Sequence, residues 1–322
     1  MKQIVVIPRN GYVNRLQSMA SAQILADLLE CELVTCWEPE TAAPASVKSI
    51  FSPDFIRSQF ITHSAFLALT GMEPREVAPH LSALELSVGK NAISLAGLDR
   101  GEQHFMGALQ ELIAVRPEVE LLIISSGGRF ALEGSPYETY WDSVEFQEQR
   151  RAWYQTLPFT AEIESVSNVS VDSEPFIGLH LRYTDRSHQT PTRTQISAAI
   201  RQVQSKTGVS KVFIASDSRV ERDYWAQRLS ADGHECWWHQ SAGAPRDRAT
   251  GVIAALADWR TLGTSRSVVF FTESTFGYEA AVATGNFADS IGLAPSALLS
   301  RWIRTRVLLT NIVTTPKRRG WL

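Results

Sequence analysis

Gln3-Ile4-Val5-Val6-Ile7-Pro8-Arg9-Asn10-Gly11-Tyr12-Val13-Asn14-Arg15-Leu16 opens the chain and decides its class. The β-branched run Ile4–Ile7 has the length of a buried strand, and Pro8-Arg9-Asn10-Gly11 is a turn cluster that ends it. Leu16, Met19, Ala20, Ile24, Leu25 and Leu28 then recur mostly at three and four residues, the spacing of one helix face. Glu32–Trp37 is a second strand-like run. Strand, helix and strand in succession make a βαβ opening, which implies a parallel sheet.

The same alternation continues outward. Helical patterns are expected near Ala92–Leu98 and Gly101–Ala114, a buried strand at Glu120–Ser125 with Gly127-Gly128 turning the chain after it, and a helix from Ser143 to about Leu157. Pro158–Pro175, rich in Ser, Glu and Asp, is expected to link two domains. Beyond it, Phe176–Leu181, Lys211–Ala215, Glu235–Trp238 and Ser267–Phe271 form strand-like runs. Thr192–Thr207, Ser218–Ala231, Ala249–Leu262 and Phe276–Thr284 are helical between or after them. The expected architecture is α/β, with two Rossmann-like domains facing a central cleft (GT-B). Residues 1–160 are expected to form the N-terminal domain and residues 161–295 the C-terminal domain. Residues 296–322 form a helix and basic tail packing back on the first. In open parallel sheets, ligands bind beyond the carboxyl ends of the strands.

Bulk properties agree with this. At 322 residues, about two domains is the natural expectation. A net charge of −3 gives no reason to expect nucleic-acid binding. No apolar run reaches the roughly 18 residues that span a bilayer. The three cysteines Cys31, Cys36 and Cys236 are odd in number and lack metal-site spacing. A cytoplasmic protein is expected, without a metal or other cofactor.

Four strand-end segments hold the candidate chemistry. Gly11 and Asn14, between the first strand and helix, offer a close backbone approach and a helix N-terminus that favours an anion, although Asn14 could equally be only an N-cap. His180 and Arg182 share one face of a strand, since side chains there alternate with a period of two. A guanidinium at such a place needs an anion, either a bound phosphate or the internal carboxylate of Asp185. Asp217 ends the next strand and is either a ligand carboxylate or a helix cap. Ser274 and Thr275, before Phe276, could cradle a phosphate at a helix start or merely cap it.

In this order the segments resemble the fucosyltransferase superfamily: the bacterial nodulation fucosyltransferases, the α1,6-fucosyltransferases and the protein O-fucosyltransferases. The matching pieces are Gly11 through Leu16 (G-x-x-N-R-L), Trp37-Glu38-Pro39, His180-Leu181-Arg182-Tyr183-Thr184-Asp185 (H-x-R-x-x-D), Ala215-Ser216-Asp217 and Ser274-Thr275-Phe276. They span residues 4 to about 285, and the H-x-R-x-x-D element is the most specific. The resemblance implies a GT-B fold, a GDP-sugar donor held mainly by the C-terminal domain, and metal-free inversion at the anomeric carbon. Arg182 would bind the β-phosphate. His180 and Asp217 would contact guanine or its ribose. Ser274, Thr275 and Phe276 would line the phosphates and base, while Gly11, Asn14 and Arg15 would close over the pyrophosphate. The chain has no Asp-x-Asp metal motif.

Two positions depart from the pattern. Many relatives have a second arginine where this chain has Tyr183. Some have a glutamate base a few residues past the aspartate, where this chain reads Arg186-Ser187-His188-Gln189-Thr190. The base is therefore open among Asp185, Glu38 and His188, in that order. The implied acceptor is a glycan, glycolipid or small glycosylated molecule. Arg301, Arg304, Arg306, Lys317, Arg318 and Arg319, with Trp302 and Trp321 among them, make residues 301–322 a tail that could pack on the N-terminal domain or touch the inner face of a membrane.

Overall fold

The computed structural model describes residues 2–77, 84–87, 92–96, 120–128, 144–167, 174–183, 190–239 and 249–295. The first sheet contains β1 (Gln3–Pro8), β2 (Glu32–Cys36), β3 (Phe60–Ile61), β4 (Leu84–Ser87), β5 (Ala92–Ala96) and β6 (Leu121–Ser126), in the spatial order β3-β2-β1-β6-β5-β4. All its pairings are parallel except β4 with β5. Helix α1 (Tyr12–Leu28) follows β1, and α2 (Pro53–Gln59) and α3 (His63–Thr70) follow β2. Both short helices begin at capping hydroxyls: Ser52 accepts from Phe55 N–H and Thr62 from Ala65 N–H.

The second sheet contains β7 (Ile177–Leu181), β8 (Lys211–Ser216), β9 (Glu235–Trp237), β10 (Ser267–Phe271) and β11 (Ile291–Leu293), all parallel, in the order β11-β10-β7-β8-β9. Helices α6 (Arg193–Thr207), α7 (Arg219–Ala231), α8 (Ala249–Gly263) and α9 (Thr275–Ala283) alternate with these strands. Two further helices, α4 (Val144–Thr156) and α5 (Ala161–Ser167), lie between the sheets in sequence. Strands β1, β6, β7 and β10 are buried on both faces, which explains their unbroken apolar runs.

The structure changes two expectations. Residues 92–96 form β5, paired parallel with β6, and not a helix. A short run with four apolar residues in five fits either element, and pairing with a neighbouring strand decides it. The expected linker holds α5, whose Ile163 is fully buried, and Phe159 before it stacks on Phe51 at 5.8 Å. The expected helix at Gly101–Ala114 and residues 296–322 lie outside the described residues. One apolar cluster runs from Ile4, Leu16 and Met19 through Tyr154 and Trp259 to Phe270 and Ala280, so both sheets share a core. No described helix is long and apolar enough to cross a membrane.

Candidate functional site

In the second sheet the strand order reverses between β7 and β10, and in the first it jumps from β1 to β6. Beyond those strand ends the sheet topology leaves a crevice for a ligand. The loops after β1, β6, β7 and β10 line two adjoining cavities of about 760 and 1050 Å³.

The smaller cavity gathers Gly11 and Asn14 from the first half with His180, Arg182, Glu273, Thr275 and Phe276 from the second. Asn10 turns the chain after β1 in a left-handed conformation (φ 65°), which asparagine tolerates better than most residues. Its side-chain Nδ2 donates to Gly127 O at 3.1 Å, tying together the ends of β1 and β6. Asn14 lies in the first turn of α1, whose N-cap is Gly11, so the capping alternative for Asn14 falls. Its amide instead reaches across the cleft, Nδ2 donating to Thr275 Oγ1 at 3.5 Å.

From the second half, His180 is buried at the end of β7 and its ring stacks on Phe276, with centroids 4.8 Å apart at 24°. Arg182 follows it on the same side and lines the cavity. Ser274 is the N-cap of α9 but makes no side-chain cap; its Oγ is buried without a hydrogen-bond partner among the described residues. Asp217 caps no helix either, because Ser218 does so. Its Oδ1 accepts from Tyr183 N–H at 2.8 Å and so fixes the chain as it leaves β7. Asp217 therefore lies one step behind the cavity wall, which it does not line.

Arg15 is not at the cleft surface. It is fully buried, its Nε donating to Asn10 O at 2.8 Å and its Nη1 to Glu38 O at 2.7 Å, with Trp37 beneath the guanidinium at 4.6 Å. Burial pulls its pKa down to about 10, while Glu40, 3.3 Å from Nη2, opposes the fall. Arg9 holds the other oxygen of Glu40 at 2.9 Å. The two arginines thus shape the loop after β2 and the Asn10 turn, so Arg15 positions this wall and does not close over a ligand. Among the expected base candidates, Glu38 is paired with His63 at 3.0 Å and lines neither cavity, whereas Asp185 and His188 lie outside the described residues.

Comparison with known proteins fits this layout. No protein-family profile and no curated protein matches the chain. Solved structures do. A mutant of fucosyltransferase FUT1 from Arabidopsis thaliana, in complex with GDP, superposes with a TM-score of 0.56 at 15% identity, over 88% of this chain and 68% of that one. The α-1,6-fucosyltransferase NodZ, soaked with GDP-fucose, gives 0.52 at 17% over 88% and 93%. POFUT1 in complex with GDP-fucose gives 0.51 at 14% over 91% and 96%. The chain has the GT-B fold of these fucosyltransferases.

In this GT-B chain one polar centre escaped the sequence. Glu279, fully buried on α9, accepts from Arg150 Nε (3.0 Å) and Nη2 (3.2 Å), Tyr154 Oη (2.7 Å) and Gln17 Nε2 (2.6 Å). It joins α1, α4 and α9, and hence both halves of the cleft. Nothing distinguishes it in sequence from an ordinary surface glutamate. Trp237, at the end of β9, packs edge-on against Phe176 at 4.8 Å.

Proposed function

We propose that this chain is an inverting, metal-independent glycosyltransferase that moves a sugar, L-fucose in the first instance, from a GDP-sugar to a glycan, glycolipid or small glycosylated acceptor. The observation behind this reading is the convergence of Gly11, Asn14, His180, Arg182, Thr275 and Phe276, from the ends of strands in both sheets, on one cavity. The fold-sharing proteins bound to GDP or GDP-fucose support the choice of donor.

Arg182 supplies a fixed positive fork where the β-phosphate would leave. Charge grows on that oxygen as the glycosyl bond breaks, so a preorganised guanidinium helps the transition state more than the ground state. The α9 N-terminus and the Ser274 Oγ, which has no hydrogen-bond partner among the described residues, add neutral donors for the diphosphate. Phe276, already stacked on His180, offers an aromatic face near the nucleotide.

The test is a thermal-shift panel of GDP, UDP, ADP and CMP in EDTA. A ligand at about 100 times its Kd adds about 2.7 kcal/mol, which moves the midpoint of a chain this size by several degrees. GDP alone should do so. A larger shift with UDP or ADP would replace the donor, and no shift with any nucleotide would remove the transferase reading.

A further inference from the structure

Transfer to a hydroxyl needs a group to take its proton, and the strand-end motifs leave that group unassigned. We propose that Glu273 is this base and that the larger cavity seats the acceptor. The inference rests on the donor reading of the smaller cavity.

The two cavities meet along a short wall. Asn10, Asn14, Glu273 and Thr275 belong to both, and Glu273 is the one carboxylate among them. Among its described lining residues, the smaller cavity has no other acid. Glu273 projects from the turn between β10 and α9, next to the buried Ser274 and the shared Thr275. A base for inversion must stand on the far side of the reacting carbon from the leaving phosphate. Arg182 lines the smaller cavity alone, whereas Glu273 lines both, so the carboxylate borders the acceptor cavity and the guanidinium does not.

The larger cavity presents groups suited to a polyol beside the charged Glu148, Arg151 and Asp289. Gln147, Asn286 and Ser290 present amides and a hydroxyl, and Tyr278 and Phe287 present ring faces on which a pyranose can stack. Its other acids are less suited to the role. Neither Asp289 nor Glu148 lines the smaller cavity. In the step assigned to Glu273, an acceptor oxygen forms a bond to the anomeric carbon as its proton passes to the carboxylate. The bond to the β-phosphate oxygen breaks, its electron pair leaves with GDP, and the configuration inverts.

Water can replace an unidentified acceptor in the test. Wild type, Glu273→Gln and Glu273→Asp are compared for GDP affinity by calorimetry and for fucose release from GDP-fucose by NMR, which also reads the anomer first formed. Glu273→Gln should bind GDP within about twofold of wild type and release fucose about 100-fold more slowly, the lower end of the range for a positioned base. Glu273→Asp should recover part of the rate, because a carboxylate remains. Release at the wild-type rate from Glu273→Gln would overturn the assignment, as would a wild type that binds GDP-fucose yet releases no fucose. A wild type that does not bind GDP would instead remove the donor reading beneath it.

Discussion

Arg182 and Gly277 show how much of the site depends on single atoms. Replacing Arg182 by alanine removes the only guanidinium among the described residues of the smaller cavity. Donor turnover should fall about 10²- to 10³-fold, the scale of losing one preorganised oxyanion donor, and GDP should bind more weakly without a change in melting temperature. Lysine should restore little, since a point charge cannot reproduce the planar fork. Gly277 acts by what it lacks. A Cβ there would sit 2.6 Å from Phe270 Cβ and 2.8 Å from His180 Nδ1, so alanine must push the histidine off Phe276 or move the β10–α9 junction. Gly277→Ala is expected to cost about 1–3 kcal/mol in urea unfolding and to weaken GDP binding at the same time. Unchanged stability and affinity would mean that the ring pair is not held by this contact.

At the scale of elements, α8 supplies Gly251, Ala255 and Leu256 to the smaller cavity while burying a carboxylate behind it. Asp258 Oδ1 accepts from His239 Nδ1 at 2.8 Å, and the other ring nitrogen of His239 meets Thr261 Oγ1 at 3.3 Å. Burial raises the Asp258 pKa above the usual 3.8, and the contact with His239 only partly opposes it. A carboxyl whose folded pKa is raised binds its proton more tightly in the native state than in the unfolded chain. Its contribution is therefore fully present below pH 3.8 and is lost as pH rises through the folded value. Unfolding free energies followed upward from about pH 4 should show wild type losing stability relative to Asp258→Asn. Parallel profiles would contradict the raised pKa. The elements also show what sequence could reveal. Strand β1 and helix α1 were legible because an apolar run and a three-four spacing each have one reading. Strand β5 was not, because a short, mostly apolar run suits either element until β6 pairs with it. Helix α5 was missed because Ala161–Ser167 has little of its own to signal a helix beyond Ile163 and Val166; it is held by packing. The strand-end site was legible because topology places those residues for any open parallel sheet, whereas the burial of Arg15 was not.

Across the whole molecule, Glu279 is the place where the cleft is held together, and its partners lie as far as 262 positions away in sequence. Such a centre is invisible to periodicity, since each member by itself fits an ordinary helix. Desolvation alone would pull the Arg150 pKa down, but the Glu279 carboxylate more than offsets it, and the guanidinium stays above its usual value. Tyr154 is raised first by burial and then by the same carboxylate. The guanidinium thus keeps its charge inside the core, and Gln17 and Tyr154 also donate to the Glu279 side chain. Arg150→Met leaves a buried carboxylate without its counter-charge and should cost about 3–5 kcal/mol. Because α1 and α9 present Asn14 and Thr275 to the smaller cavity, GDP affinity should fall with stability. Adding Glu279→Leu removes the stranded charge. Among the described groups, the neutral Gln17 and Tyr154 then lose this acceptor, at about 1–3 kcal/mol each at most. The double variant should therefore unfold at higher urea than Arg150→Met alone, although it has lost one more native side chain. Additive losses would show that Arg150 and Glu279 act separately, and that the two halves of the cleft are joined by their shared apolar core without this ion pair.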